Sequence, residues 1–223
     1  MVQLETQLER STLGGQIADA IRQDILFGRI EAGSRLGQQQ ICERFSTSRM
    51  PVRDALRQLT FEGFLTSDEG RHAVVAKMSR HDILDTYIIE GALHGFAVRR
   101  VAETGDPDSL AEVRCRHDSM VEAEGDVNKL TELNYHFHRR INQLADSRKL
   151  LAALRTLAIN IPRDYLFQFP EWSDRVNKEH DAIVKAVEAR QGERAENLMR
   201  LHVSDAGTYL VRYLEGIGVD LDK

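Results

Sequence analysis

Hydrophobic and polar positions follow one another along most of the chain with the period of amphipathic α-helices. The first helix is predicted by a strict four-residue step of aliphatic residues that stops before Gly28: Leu13, Ile17, Ile21 and Ile25. A short extended piece, Arg35-Leu36, follows, and QQQICERF then predicts a second, short helix. The break at Ser46-Thr47 separates it from a third helix, so the sequence predicts a helix-turn-helix.

The third helix lies within TSRMPVRDALRQL and has two different sides. Its buried side is predicted to carry Val52, Leu56 and Leu59, whereas arginines recur every four residues on the other side: Arg49, Arg53 and Arg57. Ser48 can cap the helix, and Pro51 is tolerated in its first turn. An arginine ridge of this kind suits the major groove of DNA, although the spacing alone is more often that of a solvated surface helix.

Two β-rich runs follow, at 64–66 and 73–76, and the turn-forming Asp68-Glu69-Gly70 joins them. A hairpin directly after a recognition helix forms a wing, whose tip would carry Gly70 and Arg71. The alternative is a hairpin that only completes the small core. We therefore expect residues 1–78 to form a winged helix-turn-helix domain with a small β-hairpin.

From Ser79 onward the pattern is helical throughout. Ser79 and Asp82 form a capping-box-like start for a long helix that reaches about Glu103. Breaks at TGDPDS, EAEGD, Asp146-Ser147, FQFPEWSD and Gln191-Gly192 divide the remainder. The fold class is therefore mainly α, with an all-α antiparallel bundle of six or seven helices over 79–223.

Charge limits how the chain can bind nucleic acid. The formal net charge is -5, and the first 77 residues contain ten basic and ten acidic residues, so the predicted DNA-binding domain is neutral. A neutral domain predicts modest nonspecific binding, which two half-sites read by a homodimer would supplement.

Two cysteines, Cys42 and Cys115, lie far apart in helical patterns, and we expect both to be small buried residues of a reducing compartment. No apolar run approaches the roughly 18 residues of a membrane span. The expectation is a cytoplasmic protein with no membrane partner.

Histidines carry the candidate chemistry of the second half. Asn134 and His138 are four residues apart and so share a helix face, with Phe137 pointing elsewhere. His180 and His202 lie in two later amphipathic helices, and the three imidazoles could converge inside the bundle. Taken singly, each is more often a packed or surface histidine than a metal ligand.

The stretch ICERFSTSRMPVRDALRQLTFEGFLTSDEGRHAVV resembles the winged-helix signature of the GntR family of bacterial transcription factors. The resemblance implies that Arg49 and Arg53 contact guanines and phosphates of a GT...AC half-site, with Met50 on the same turn. It implies backbone contacts from Arg35 and Ser48, and wing contacts from the tip residues. Gln39 stands where several relatives have a basic residue, so it would make a changed contact. The DNA-binding residues implied are Arg35, Gln39, Ser48, Arg49, Met50, Arg53, Gly70 and Arg71.

Two later stretches, LNYHFHRRINQLADSRKLLAAL and NKEHDAIVKAVEARQGERAENLMRLH, are similar to the FCD ligand-binding domain of FadR-type regulators. Those proteins commonly hold zinc or nickel through one Asp and three His. The resemblance implies ligation of a divalent metal, Zn²⁺ or Ni²⁺, by His138, His180 and His202. Asn134 falls at the Asp position and brings no charge, so retained but weaker metal binding is expected. His136 is the reserve ligand.

The resemblance further implies a small organic acid as effector. Many relatives have Arg where Glu90 stands and Glu where His94 stands, so one cationic clamp would be missing here. The alternative is a structural Glu90–His94 pair. The implied pocket residues are Glu90, His94, Arg139, Asn160, Arg163 and Tyr165.

The sequence therefore predicts a metabolite-responsive transcriptional repressor, acting as a homodimer on a short palindrome, and not an enzyme. The alternative is a metal-dependent hydrolase or lyase with an appended DNA-binding-like domain, because three His with an open position can activate water. Against it, no general base stands beside a nucleophile in the sequence.

Overall fold

The computed structural model of the chain describes residues 12–68, 72–123, 125–157, 165–166 and 169–221. The chain divides into two compact units, Met1–Met78 and Ser79–Lys223. Helices dominate, and a single three-stranded antiparallel sheet is found among the described residues, which confirms the predicted fold class.

The first unit contains the predicted helices and strands in the predicted order: α1 (Leu13–Leu26), β1 (Arg35–Leu36), α2 (Gln38–Arg44), α3 (Arg49–Phe61), β2 (Leu65–Asp68) and β3 (His72–Val75). β3 lies between the other two strands and pairs antiparallel with both. The short extended piece Arg35-Leu36 is therefore the third strand of the sheet, with Arg35 opposite Val74.

The core of this unit lies between α1 and α3. Most of the predicted aliphatic positions are buried: Ile17, Ile21 and Ile25 on α1, and Val52, Leu56 and Leu59 on α3. Leu13, the first of the row on α1, is 50% exposed. The helices approach closely at Gly14, where a Cβ atom would lie 3.1 Å from the carbonyl oxygen of Pro51. Arg22 is wholly buried, but ion pairs with Asp19 at 2.5 Å and Glu62 at 2.6 Å compensate its charge.

The second unit contains six described helices: α4 (Arg80–Thr104), α5 (Pro107–Glu122), α6 (Val127–Leu144), α7 (Arg148–Leu157), α8 (Pro170–Glu188) and α9 (Gly192–Gly216). The predicted capping box begins α4: the Ser79 side chain accepts from the Asp82 amide, and the Asp82 carboxylate accepts from the Ser79 amide. α8 begins at Pro170, inside the stretch that was expected to be irregular, because proline is well placed in a first helical turn.

The longest packed pair is α4 with α9. Glycines set their separation. A Cβ atom on Gly91 would lie 2.7 Å from Ser204 Oγ, and one on Gly207 would lie 2.8 Å from Cβ of Tyr87. Because neither distance leaves room for a methyl group, the two helices pack nearly backbone to backbone along this seam.

Two further observations bear on the sequence expectations. Cys42 is buried as expected, but Cys115 is exposed on α5, so the prediction for Cys115 was wrong. It sits at a position of α5 that faces solvent, between the buried Val113 and His117. Among the helices in the described ranges, none combines the length and apolarity that a membrane crossing requires.

Candidate functional site

The recognition helix α3 has the two sides that its sequence predicts. Arg49, Arg53 and Arg57 are all exposed, opposite the buried aliphatic side that packs on α1. Ser48 occupies the N-cap position, but its side chain makes no capping hydrogen bond. Ser48 is exposed and lies at the positive end of the helix dipole, a position that suits phosphate.

The other predicted DNA-binding residues are exposed where they are described. Met50 is 67% exposed in the first turn of α3. Gln39 is exposed on α2 and donates to Glu43 Oε1 at 3.0 Å, and Arg35 is exposed on β1. Gly70 and Arg71, the predicted wing contacts, lie outside the described residues.

The second unit brings three predicted metal ligands together. His138 on α6, His180 on α8 and His202 on α9 are all buried, and their candidate ligand atoms lie within 4.8 Å of one another. His180 Nε2 and His202 Nε2 are 2.9 Å apart. The rings of His138 and His202 are stacked with centroids 5.2 Å apart. The reserve ligand His136 lies 3.7 Å from Glu132 and is not among the clustered histidines.

Asn134 supplies a candidate oxygen ligand. It is 3% exposed, one turn before His138 on α6, and its Oδ1 has no hydrogen-bond partner among the described residues. A buried acceptor without a donor costs free energy, about 1–3 kcal/mol, unless something binds it. Three imidazoles and an unsatisfied amide oxygen fit the nitrogen and oxygen preferences of Zn²⁺ or Ni²⁺.

Electrostatics keep one imidazole of the cluster, that of His180, in the form that binds a metal. Burial lowers the pKa of His180 well below its usual 6.5, and the neighbouring His202 and His117 add to the effect. His180 is therefore neutral at pH 7 and offers a nitrogen lone pair. Phe137 contributes to this burial, because its ring lies 4.6 Å from the ring of His180. Phe137 was predicted to point elsewhere than the face shared by Asn134 and His138, and it packs on His180 of α8.

Glu179 is a functional residue that the sequence analysis missed. Its Oε2 accepts a hydrogen bond of 2.8 Å from His202 Nδ1, and Oε1 accepts from Arg175 at 2.7 Å. Burial opposes ionisation of Glu179, but hydrogen bonds and charge from His202 and Arg175 outweigh it and lower its pKa. An ionised carboxylate only accepts, so His202 carries its proton on Nδ1 and presents the Nε2 lone pair to the cluster.

The signal for Glu179 was its position in KEH, immediately before His180. Residues i and i+1 of a helix point in directions about 100° apart, so sequence spacing gave no reason to connect Glu179 with His180. Only the antiparallel approach of α9 places His202 beside Glu179.

The predicted effector residues lie in different surroundings. Glu90 and His94 are both buried on α4, 4% and 6% exposed, and the His94 ring lies 5.3 Å from that of His138. Asn142, which the sequence did not single out, has Nδ2 3.3 Å from His94 Nδ1 and an Oδ1 without a described partner. His94 therefore lies beside the histidine cluster, and Asn142 lies next to His94.

Two of the other predicted pocket residues, Tyr165 and Arg139, have described contacts with tyrosines. Tyr165 is buried with its hydroxyl 2.9 Å from that of Tyr87, and Arg139 lies against the half-exposed Tyr135. Asn160 and Arg163 lie outside the described residues. The buried Trp172 also lies beside the cluster, with its ring 5.4 Å from that of His202.

Family models match both units of the chain. Residues 13–75 match "Bacterial regulatory proteins, gntR family", and residues 85–205, more than half of the chain, match the FCD domain. The two matched ranges contain every described residue discussed above as a DNA or metal contact.

Curated relatives match nearly the whole length. The chain is 29% identical over 201 residues to the "Probable D-xylose utilization operon transcriptional repressor" of Paenarthrobacter nicotinovorans, covering 89% of this chain and 88% of that protein. It is 26% identical over 212 residues to the "HTH-type transcriptional repressor RspR" of Escherichia coli strain K12, covering 91% of each.

Solved structures share the fold. The E. coli protein McbR/YncC superposes with a TM-score of 0.65 at 20% identity, over 91% of this chain and 99% of that one. A GntR family regulator from Pseudomonas syringae pv. tomato superposes with a TM-score of 0.53 at 25% identity, over 92% and 86%.

Proposed function

We propose that this protein is a metabolite-responsive transcriptional repressor with a metal in its effector site. The chain belongs to the GntR family of bacterial regulatory proteins and carries an FCD domain. The chain is a DNA-binding transcriptional regulator and not an enzyme, as its relatives are regulators and repressors. Nothing in these relatives supports the hydrolase or lyase alternative.

We assign DNA binding to residues 1–78. In this assignment α3 enters the major groove, Arg49 and Arg53 form paired bonds with guanine, and Ser48 and Arg35 contact phosphates. Met50 and Gln39 complete the protein side of the contact, and Gly70 with Arg71 serves the wing. The exposure of Arg49 and Arg53 on a helix whose other side is fixed in the core supports this assignment.

We assign effector binding to residues 79–223. A divalent metal, zinc or nickel, would be held by His138, His180, His202 and Asn134, and when bound it supplies a Lewis-acidic point for a carboxylate. Glu179 holds the tautomer of His202, and burial keeps His180 neutral. FCD domains are often associated with metals. The observation that carries this assignment is the convergence of three buried imidazoles from three helices within 4.8 Å.

The effector is proposed to be a small organic acid that binds beside the metal, against the wall formed by Glu90, His94 and Asn142. Arg139, Asn160, Arg163 and Tyr165 are retained as outer pocket residues. For the effector to act, it must bind the DNA-competent and DNA-incompetent arrangements of a homodimer with unequal affinity. Since the operator is chromosomal DNA, the site of action is the cytoplasm.

A metal-free alternative is also chemically sensible. The 2.9 Å separation of His180 Nε2 and His202 Nε2 allows one neutral ring to donate to the other without any ion. In that case the cluster would be a packed hydrogen-bonded core, and the regulator would bind its effector without a metal.

The test uses the only tryptophan in the chain. Because Trp172 lies 5.4 Å from His202, titration of chelator-treated protein with Ni²⁺ or Co²⁺ is expected to quench its fluorescence at one equivalent. Operator fragments selected from random DNA are then titrated in a gel shift with small acids, with and without metal. No quenching, together with no retained metal in elemental analysis, would leave the metal-free regulator.

A further inference from the structure

Two arginines of the packed α8–α9 pair are held in the same way but reach different groups. Arg175 on α8 lies over the rings of Trp172 and Tyr209, 6.0 Å and 5.8 Å from their centroids. Arg212 on α9 lies over the rings of Phe169 and Tyr209, 4.8 Å and 5.4 Å from their centroids. Each guanidinium also forms an ion pair with a carboxylate on the other helix. Of the two, Arg175 is the one that contacts a carboxylate beside the histidine cluster.

The guanidinium of Arg175 joins two carboxylates. Its Nε donates to Glu179 Oε1 at 2.7 Å, and its Nη2 donates to Asp205 Oδ2 at 2.6 Å. Glu179 lies one turn further along α8, whereas Asp205 lies on α9. A guanidinium is planar, always charged and carries its donors in a fixed fork. These two bonds therefore set its orientation, and the rings of Trp172 and Tyr209, 1% and 6% exposed, form the surface on which it lies.

Glu179 depends on Arg175 to keep its own orientation. Its side chain is 29% exposed, so water competes for its oxygens. Oε2 accepts from His202 Nδ1 at 2.8 Å, while Oε1 is held by Arg175. A carboxylate held at both oxygens cannot turn away from the imidazole without breaking a charge-assisted hydrogen bond.

The directions of these hydrogen bonds follow from the surface inward. An arginine only donates and an ionised carboxylate only accepts, so His202 gives its Nδ1 proton to Glu179. His202 Nε2 is then an acceptor, and His180 Nε2, 2.9 Å away, is the donor between the two rings in the metal-free protein. The series from Arg175 to His180 therefore allows one arrangement of protons.

We propose that Arg175 is a positioning residue of the metal site, because it fixes the ring orientation and the proton of His202 through Glu179. This inference rests on the metal site of the proposed function and adds the residue that orients one of its ligands from outside. Partners of metal ligands that act in this way change metal affinity by about 10- to 100-fold.

The first test observes the histidines of the metal-free full chain. Arg175→Met removes the donors but keeps an unbranched side chain that can lie on Trp172. Nitrogen-15 spectra at about pH 8, where histidine side chains are mostly neutral, report which ring nitrogen carries the proton. The wild type is expected to show His202 protonated on Nδ1. In Arg175→Met two tautomers of His202 are expected, because Glu179 can turn to water. The His202 signals are those that His202→Ala lacks.

Arg212→Met is the matched control. It removes a guanidinium that also lies on Tyr209 and is paired with Glu171 at 2.9 Å. Isothermal titration with Ni²⁺ is expected to show about 10-fold weaker binding for Arg175→Met and the wild-type affinity for Arg212→Met. Arg175→Lys keeps a charged donor and is expected to recover the Nδ1 tautomer of His202. Urea denaturation of the metal-free variants establishes that each is folded.

A double variant tests whether Arg175 acts through Glu179. In a Glu179→Gln background the carboxylate that Arg175 orients is already absent, so Arg175→Met is expected to lower Ni²⁺ affinity by less than about 2-fold more. Two losses that multiply in full would mean that Arg175 acts by another route, and the inference would be overturned.

The outcomes separate this inference from the function on which it rests. If the wild type binds no metal, the metal site of the proposed function fails, and the spectra of the metal-free protein still decide whether Arg175 fixes His202. If the wild type binds Ni²⁺ while Arg175→Met keeps both the Nδ1 tautomer and the affinity, the positioning role is wrong and the metal site stands. A changed tautomer, weaker binding and no further loss in Glu179→Gln together establish the role of Arg175.

Discussion

The recognition helix α3 and the histidine cluster place their functional groups in opposite environments. On α3 the arginines are exposed and come from 13 consecutive residues, whereas the clustered histidines are buried and come from three helices. An exposed arginine keeps its charge without help and needs only a fixed helix to present it. A buried imidazole is oriented by a partner on its second ring nitrogen, and Glu179 is that partner for His202 Nδ1.

This difference predicts that damage to the cluster changes metal binding and stability together, while damage to α3 changes DNA affinity alone. The following experiments test that contrast, beginning with the largest expected effect.

Removing one imidazole should remove the metal-dependent part of stability. For the wild type, saturating metal at 100 to 1,000 times its dissociation constant is expected to raise the free energy of unfolding by about 3–4 kcal/mol. His202→Ala should lose that increase, which urea denaturation with and without Ni²⁺ measures. His136→Ala, a histidine of α6 outside the cluster, is the matched control and should keep it.

Arginine truncation on α3 should weaken operator binding without loss of fold. Arg49→Ala or Arg53→Ala is expected to cost about 1–3 kcal/mol per lost paired contact, because bonds to guanine edges disappear. Arg57→Ala, on the same exposed ridge, removes the same charge and should cost less. Gel-shift titration at fixed salt measures all three, and equal losses at Arg53 and Arg57 would favour a purely electrostatic surface.

Glu179→Gln tests whether the carboxylate matters through His202. The amide keeps the size of the side chain but no longer fixes the Nδ1 proton by charge, so metal affinity is expected to fall about 10- to 100-fold. Isothermal titration of the chelator-treated protein measures it. The DNA affinity of the metal-free variant should stay at the wild-type value, and a fall there would mean that the variant has lost more than a ligand orientation.

Stability of the metal-free protein should fall in mild acid. The folded-state pKa of His180 lies well below 6.5, so the unfolded chain binds a proton that the folded chain rejects once the pH drops below about 6.5. The free energy of unfolding should therefore decline by up to about 1.4 kcal/mol per pH unit from this residue, down to the folded-state pKa. Denaturant titrations of wild type and His180→Gln at several pH values isolate the contribution, which the variant should lack.

Two serines at helix starts give the smallest and most direct contrast. Ser79→Ala removes a formed capping box and is expected to cost about 1 kcal/mol of stability. Ser48→Ala removes a side chain that makes no capping bond, so it should leave stability nearly unchanged and lower DNA affinity instead. Thermal unfolding and gel-shift titration measure both variants. A loss of stability in Ser48→Ala, or a loss of DNA affinity in Ser79→Ala, would contradict the prediction.

The sequence was sufficient wherever a property depends on local periodicity. The α3 sides, the wing strands, the Ser79 capping box and the helix starts near Pro107 and Val127 all follow from spacing and capping chemistry, and the structure confirms them. Spacing failed where the answer depended on which helix packs nearby. Cys115 was predicted to be buried and is exposed, because the period of one helix does not identify the neighbour on each side.

The cluster shows the same limit more sharply. Resemblance supplied His138, His180 and His202, but Glu179 and Asn142 required the packed helices, since each contacts a residue on another helix. The partner of a buried residue depends on which helices pack together, and the hydrophobic period of one helix does not reveal that.

The glycine seam between α4 and α9 has a mechanical consequence. At Gly91 and Gly207 there is no space into which either helix can shift without the other. His94, on the inner side of α4, lies 5.3 Å from the ring of His138. A rearrangement of His138 that displaces His94 must therefore move α4 and α9 together as one rigid unit. A small displacement at the centre of the bundle then reaches its outer surface at full size.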